Sequence, residues 1–89
     1  MNIDQVDFSN VKTAGEVMDI FIKVARTCPT QSNKLFDRYA EFVQNSNPGF
    51  SDVDGRRAAA SNIRTFGQIY YGKRTVNLLC KTYEGLRQH

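Results

Sequence analysis

Residues 51 to 75 read SDVDGRRAAASNIRTFGQIYYGKRT, and this stretch decides the fold. Ser51 with Asp54 three residues on has the spacing of a capping box, in which hydroxyl and carboxylate each accept from a backbone amide exposed at a helix start. Asp52 and Asp54 also suit the positive end of a helix dipole. The three alanines at 58 to 60 favour helix strongly and permit close approach of a neighbouring helix. Ala59, Ala60, Ile63, Phe66, Ile69 and Tyr70 supply an apolar side, so a helix is predicted over 52–71. Gly72 ends it, Lys73 and Arg74 form the turn, and Thr75 is placed to cap a further helix over 75–87. Val76, Leu79, Cys80, Tyr83 and Leu86 would share one face of that helix.

Upstream, Asn45, Ser46, Asn47, Pro48 and Gly49 gather turn formers, with Pro48 and Gly49 suited to the centre of a type II turn. Before that break, Leu35, Phe36, Tyr39, Phe42 and Val43 recur at helical spacing and predict a helix over 32–45, with Thr30, Ser32 and Asn33 as alternative caps. Thr13 with Glu16 repeats the capping-box pattern and opens a helix over 14–28, whose apolar face is Val17, Met18, Ile20, Phe21, Val24, Ala25 and Cys28. Pro29 lacks the amide that an interior helical position needs and stops it. Ile3, Val6, Phe8 and Val11 dot a short irregular lead-in. No stretch alternates apolar and polar residues as a half-buried strand does. The expected fold is therefore all-α, a compact four-helix domain arranged as a bundle or an orthogonal array. Its core is expected from Val17, Phe21, Val24, Phe36, Tyr39, Phe42, Ile63, Phe66, Leu79 and Tyr83.

Eighty-nine residues, 40% of them hydrophobic, make one domain with a core but no second one. Cys28 and Cys80 are too few and too far apart for a secreted disulfide framework and read as reduced thiols serving as small hydrophobes. The opening MNIDQVDFSN has acids where a signal peptide needs basic and then apolar residues, and no window is apolar for the length of a membrane span. A cytoplasmic location is the expectation.

No constellation for catalysis assembles from the sequence. Gly67 to Lys73 spells G-x-x-x-x-G-K, but Arg74 stands where a phosphate loop needs Ser or Thr, and a helix precedes it instead of a strand. The one histidine, His89, is the last residue and a poor base for a triad. Cys28, Cys80 and His89 lack zinc-ligand spacing, and Asp52 with Asp54 lacks the further acids of a calcium loop. Neither an enzyme nor a cofactor is expected.

Charge is distributed unevenly. Residues 1 to 45 carry five Lys or Arg against six Asp or Glu, a net of about −1, whereas residues 46 to 89 carry seven against three, a net of about +4. Arg57, Ser61, Arg64, Gln68 and Tyr71 fall at i, i+4, i+7, i+11 and i+14 on the 52–71 helix, and Lys73 with Arg74 continues the stripe into the turn. Arginine forks grip carboxylate or phosphate at two points, and a tyrosine beside them anchors in a partner's pocket. The binding residues are thus expected to be Arg57, Arg64, Gln68, Tyr71, Lys73 and Arg74.

The leading expectation is a non-catalytic regulator or inhibitor that binds a larger acidic protein or nucleoprotein through this basic half. The last two predicted helices also resemble the helix-turn-helix outline, in which the second helix enters a DNA major groove. That alternative puts Thr75, Asn77, Lys81 and Gln88 at base edges and Arg57, Arg64, Lys73 and Arg74 at phosphates of DNA or RNA. A further alternative is a structural subunit of a homo-oligomer, with Leu78, Ile22 and Phe50 as a self-complementary apolar patch.

Overall fold

The longest helix is the one the opening stretch encodes, and the other helices are arranged around it. In the computed structural model, which describes residues 2–88, the elements are α1 (Ala14–Thr27), α2 (Ser32–Ser46), α3 (Asp52–Tyr70), α4 (Lys73–Thr82) and α5 (Glu84–Gln88). Short 3-10 turns at Ile3–Gln5, Phe8–Asn10 and Pro29–Gln31 precede α1 and α2, and there is no strand among the described residues. The all-α class with a short N-terminal lead-in is as the sequence implies. α3 packs against each of the other four α-helices. The radius of gyration, 11.9 Å, is close to the roughly 12 Å of a compact chain of this length.

Local chemistry explains most boundaries. Ser51 Oγ accepts from the Asp54 amide at 3.2 Å and Asp54 Oδ2 accepts from the Ser51 amide at 3.1 Å, completing the capping box. Those bonds hold the Asp54 carboxyl below its ordinary range. Ser51→Ala is expected to lower stability by about 1 kcal/mol, read as a lower urea midpoint with an unchanged slope. Thr13 caps α1 as expected, its Oγ1 accepting from the Glu16 amide at 3.2 Å. Between α2 and α3 the Phe50 amide reaches the Asn47 carbonyl at 3.0 Å across Pro48 and Gly49, and Gly49 has φ 95°, the left-handed geometry that a type II turn demands there.

Several boundaries differ from expectation. α1 ends at Thr27, and Pro29–Gln31 form a 3-10 turn that leads into α2 with no side-chain cap, so none of Thr30, Ser32 and Asn33 serves as one. α4 begins at Lys73, not Thr75, because Gly72 at φ 94° and ψ 175° turns the chain so abruptly that the next residue is already helical. The helix predicted over 75–87 breaks at Tyr83, whose extended backbone (ψ 110°) sends its ring into the core and starts α5 in a new direction. Gly85 weakens helix continuation at that point.

Eight of the ten expected core residues are buried, while Phe42 and Phe66 pack on its edge. Ile69 and Tyr70, assigned to the apolar side of α3, are instead 69% and 53% exposed. Ile69 follows Ile63 by six residues, which turns it about 120° from the buried line of the helix. Ile22, expected on a surface patch, is buried. The lead-in belongs to the core as well: Ile3 and Phe8 are buried, and the Phe8 ring lies 5.0 Å from that of Tyr39 in an edge-on arrangement. Arg38 Nη2 donates to the Val6 carbonyl at 2.6 Å and Lys34 pairs with Asp4 at 2.8 Å, tying the lead-in to α2. Cys28 and Cys80 are free thiols, each only partly buried.

Candidate functional site: the outward face of α4

The predicted binding residues part company in three dimensions. Arg64 is half-buried, and its Nη1 donates to the Leu86 carbonyl at 3.2 Å, satisfying one of the acceptors left over at the end of α5. Tyr71 is exposed, and its hydroxyl donates to the Asp19 carboxylate on α1. That hydrogen bond, together with some burial and the Asp19 charge, pushes the phenol above its ordinary value, while Arg26 nearby pulls the other way. Both side chains are occupied in joining helices. Arg57 and Gln68 are exposed on α3, and Lys73 and Arg74 are exposed at the start of α4. Thirteen residues of helical rise put Arg57 about 20 Å from the end of α3 at Tyr70, so the stripe is not one contiguous patch.

A tighter group forms around the corner. Lys73, Arg74, Asn77, Leu78 and Lys81 are all exposed, and 74, 77, 78 and 81 are spaced i, i+3, i+4 and i+7, one side of a helix. Val76 and Leu79 face inward: Leu79 is buried, and Val76 Cγ2 is 2.9 Å from where a Cβ on Gly67 would stand. The contact explains Gly67, the first glycine of the phosphate-loop lookalike. It lies inside α3, where its missing side chain lets α4 approach, and Ile69 and Tyr70 of the same motif continue that helix. Among the described residues, ion pairs join Lys34 to Asp4 and Arg56 to Asp37, and none involves Lys73, Arg74 or Lys81.

The first turn of α4 carries two cations and no acid, whereas that of α3 carries Asp52 and Asp54. A cation near the positive end of a helix is unfavourable by roughly 0.3–1 kcal/mol at an exposed position. An anion from outside would relieve that placement. Leu78, 46% exposed among these cations, adds surface that gains from being covered by apolar groups. Lys73 and Arg74 are among the binding residues expected from the sequence, whereas Leu78 is expected in a separate apolar patch. The signal that finds this face is the i, i+3, i+4, i+7 spacing from Arg74, which is visible once helix α4 is phased by its buried Leu79.

On the far side of α3 a cleft of about 430 Å³ opens between α2 and α3, and its lining includes Asp37, Glu41, Asn45, Asp52 and Arg56. Arg56 Nη2 reaches Asp37 at 2.8 Å. No group of three or more His, Cys, Asp or Glu side chains among the described residues is arranged to hold a metal ion, and His89 lies outside those residues. No described helix is long and apolar enough to cross a membrane. In comparisons with known proteins, no family model, curated protein or solved structure matches the chain.

Proposed function

We propose that this chain is a non-catalytic docking module, a small regulator or inhibitor that binds a larger acidic protein through the outward face of α4 and the corner leading into it. The observation that carries this reading is the gathering of Lys73, Arg74 and Lys81 around exposed Leu78, with no described acid paired to any of the three. Arginine is among the side chains enriched at binding hot spots, where surrounding contacts exclude water from the centre. The face is presented by a helix locked from behind by Leu79 and Val76, so it needs little ordering before it binds.

Leu78 favours protein over nucleic acid as the partner. A surface that tracks phosphates gains from cations alone, whereas exposed aliphatic groups gain only against another apolar surface. Thr75, which the helix-turn-helix reading put at base edges, is half-buried.

A photo-crosslinking residue in place of Asn77 tests the reading in native extract. The expected product is an adduct with an acidic protein that survives nuclease and disappears in the Arg74→Glu, Lys81→Glu variant. An adduct lost on nuclease treatment assigns the face to nucleic acid, and an adduct unchanged in the double variant removes α4 as the docking face.

A further inference from the structure

The chain carries two oppositely charged surfaces on different sides of one helix. α2 and α4 both pack on α3 and scarcely touch one another. The α2–α3 cleft presents Asp37, Glu41 and Asp52 against the single cation Arg56, a net of about −2. The outward face of α4 presents Lys73, Arg74 and Lys81, a net of about +3. Each surface also has apolar side chains beside its charges. Phe50 and Val53, 38% and 53% exposed, flank Asp52 in the chain, and Leu78 sits among the α4 cations at 46%.

We propose that the outward face of α4 of one copy seats against the α2–α3 cleft of a second copy. The two surfaces are different patches, so the contact is heterologous: it leaves a free cleft at one end of the pair and a free α4 face at the other, and the assembly grows head to tail. Complementary potentials set both the register and the attraction, while Leu78 loses its water on contact. The inference rests on the docking reading in one respect, that the α4 face is a binding surface, and adds its regulation. Self-association covers the face that an acidic partner takes, so partner and second copy compete for it.

Sedimentation velocity on the intact chain tests this with two variants whose altered positions are all exposed. Lys73→Gln, Arg74→Gln and Lys81→Gln together neutralise the basic face and leave the cleft intact. Glu41→Lys with Asn45→Lys reverses the cleft and leaves α4 intact, and circular dichroism confirms that each variant keeps its helices. At an ionic strength of about 0.01 M, where the Debye length is about 30 Å, the unaltered chain is expected to associate more as its concentration rises. At about 1 M salt, where that length is about 3 Å, it is expected to sediment as a monomer.

Each variant alone is expected to be monomeric at low salt, and an equal mixture is expected to form a discrete one-to-one dimer. One intact cleft then meets one intact α4 face, and nothing remains to extend the chain. A monomeric unaltered chain at low salt overturns the proposal, as does a mixture that stays monomeric or either variant associating by itself. The crosslink at Asn77 separates the two readings. An acidic-protein adduct from a chain that stays monomeric leaves the docking function standing and removes self-association, whereas a one-to-one dimer with no acidic-protein adduct does the reverse.

Discussion

Tyr83→Ala is expected to cost about 3–5 kcal/mol, a large share of the roughly 5–15 kcal/mol that holds a small domain together. Tyr83 is fully buried, its ring centroid lies 4.9 Å from that of Phe21, and its hydroxyl donates to the Phe21 carbonyl at 2.6 Å. Removing the ring opens a cavity where α1, α4 and α5 meet. Tyr83→Phe keeps the ring and removes the donor, so it isolates the hydrogen bond; about 1–3 kcal/mol is expected, because a buried carbonyl loses its partner. Urea unfolding followed by circular dichroism measures both. Equal losses in the two variants would mean that the ring contributes nothing beyond its hydroxyl.

The same residue sets an alkaline limit. Burial pushes the Tyr83 phenol far above its ordinary value, with the nearby Ser32 hydroxyl opposing the shift and the Cys28 thiol adding to it. The unfolded chain releases this proton near pH 10 while the folded chain retains it, so the native state binds more protons above that pH. Stability from this group is complete below about pH 10 and falls as pH rises further, by up to about 1.4 kcal/mol per unit. Tyr39, also raised by burial, adds in the same direction. Tyr83→Phe is expected to flatten the loss of stability above pH 10 while lowering the plateau beneath it.

Gly85→Ala is expected to be nearly as damaging. A Cβ there would stand 2.4 Å from two ring carbons of Phe36, a side chain only 1% exposed. Either the ring or α5 must shift to make room, and overpacking of this kind costs about 1–3 kcal/mol and sometimes more. With about 4–8 °C lost per kcal/mol in a chain of this size, a fall of roughly 4–24 °C in the melting temperature is expected. Phe36→Leu should relieve the clash, so the double variant is expected to lose at least 1 kcal/mol less than the sum of its parts. Simple additivity would show that α5 relaxes away from α2 instead.

Much of this was legible beforehand, for a definite reason. The Thr13 cap, the capping box at Ser51, the turn at Pro48 and Gly49, and the breaks at Pro29 and Gly72 are local devices acting within four or five residues of chain. The break at Tyr83 was not legible. Leu79, Tyr83 and Leu86 recur at helical spacing whether or not the helix is continuous, and the extended residue is held by a carbonyl 62 positions away in sequence. The dispersal of the binding stripe was hidden in the same way. Spacing placed Arg64 and Tyr71 on one side of α3, but their partners are Leu86 and Asp19, and only a folded chain brings those into reach.

The amino-acid order alone determined that this chain is helical, where most of its helices begin and end, and that its second half is basic, because each of these depends on neighbours along the backbone or on simple counting. Tertiary structure decided which cations are left for a partner, since Arg64 is drawn into capping α5 and Arg56 into pairing with Asp37, while Arg74 and Lys81 project from the side of α4 opposite buried Leu79. It also decided that the lead-in is core and that glycines at 67 and 85 are contact points, because close packing compares surfaces from distant segments, a comparison no local pattern encodes.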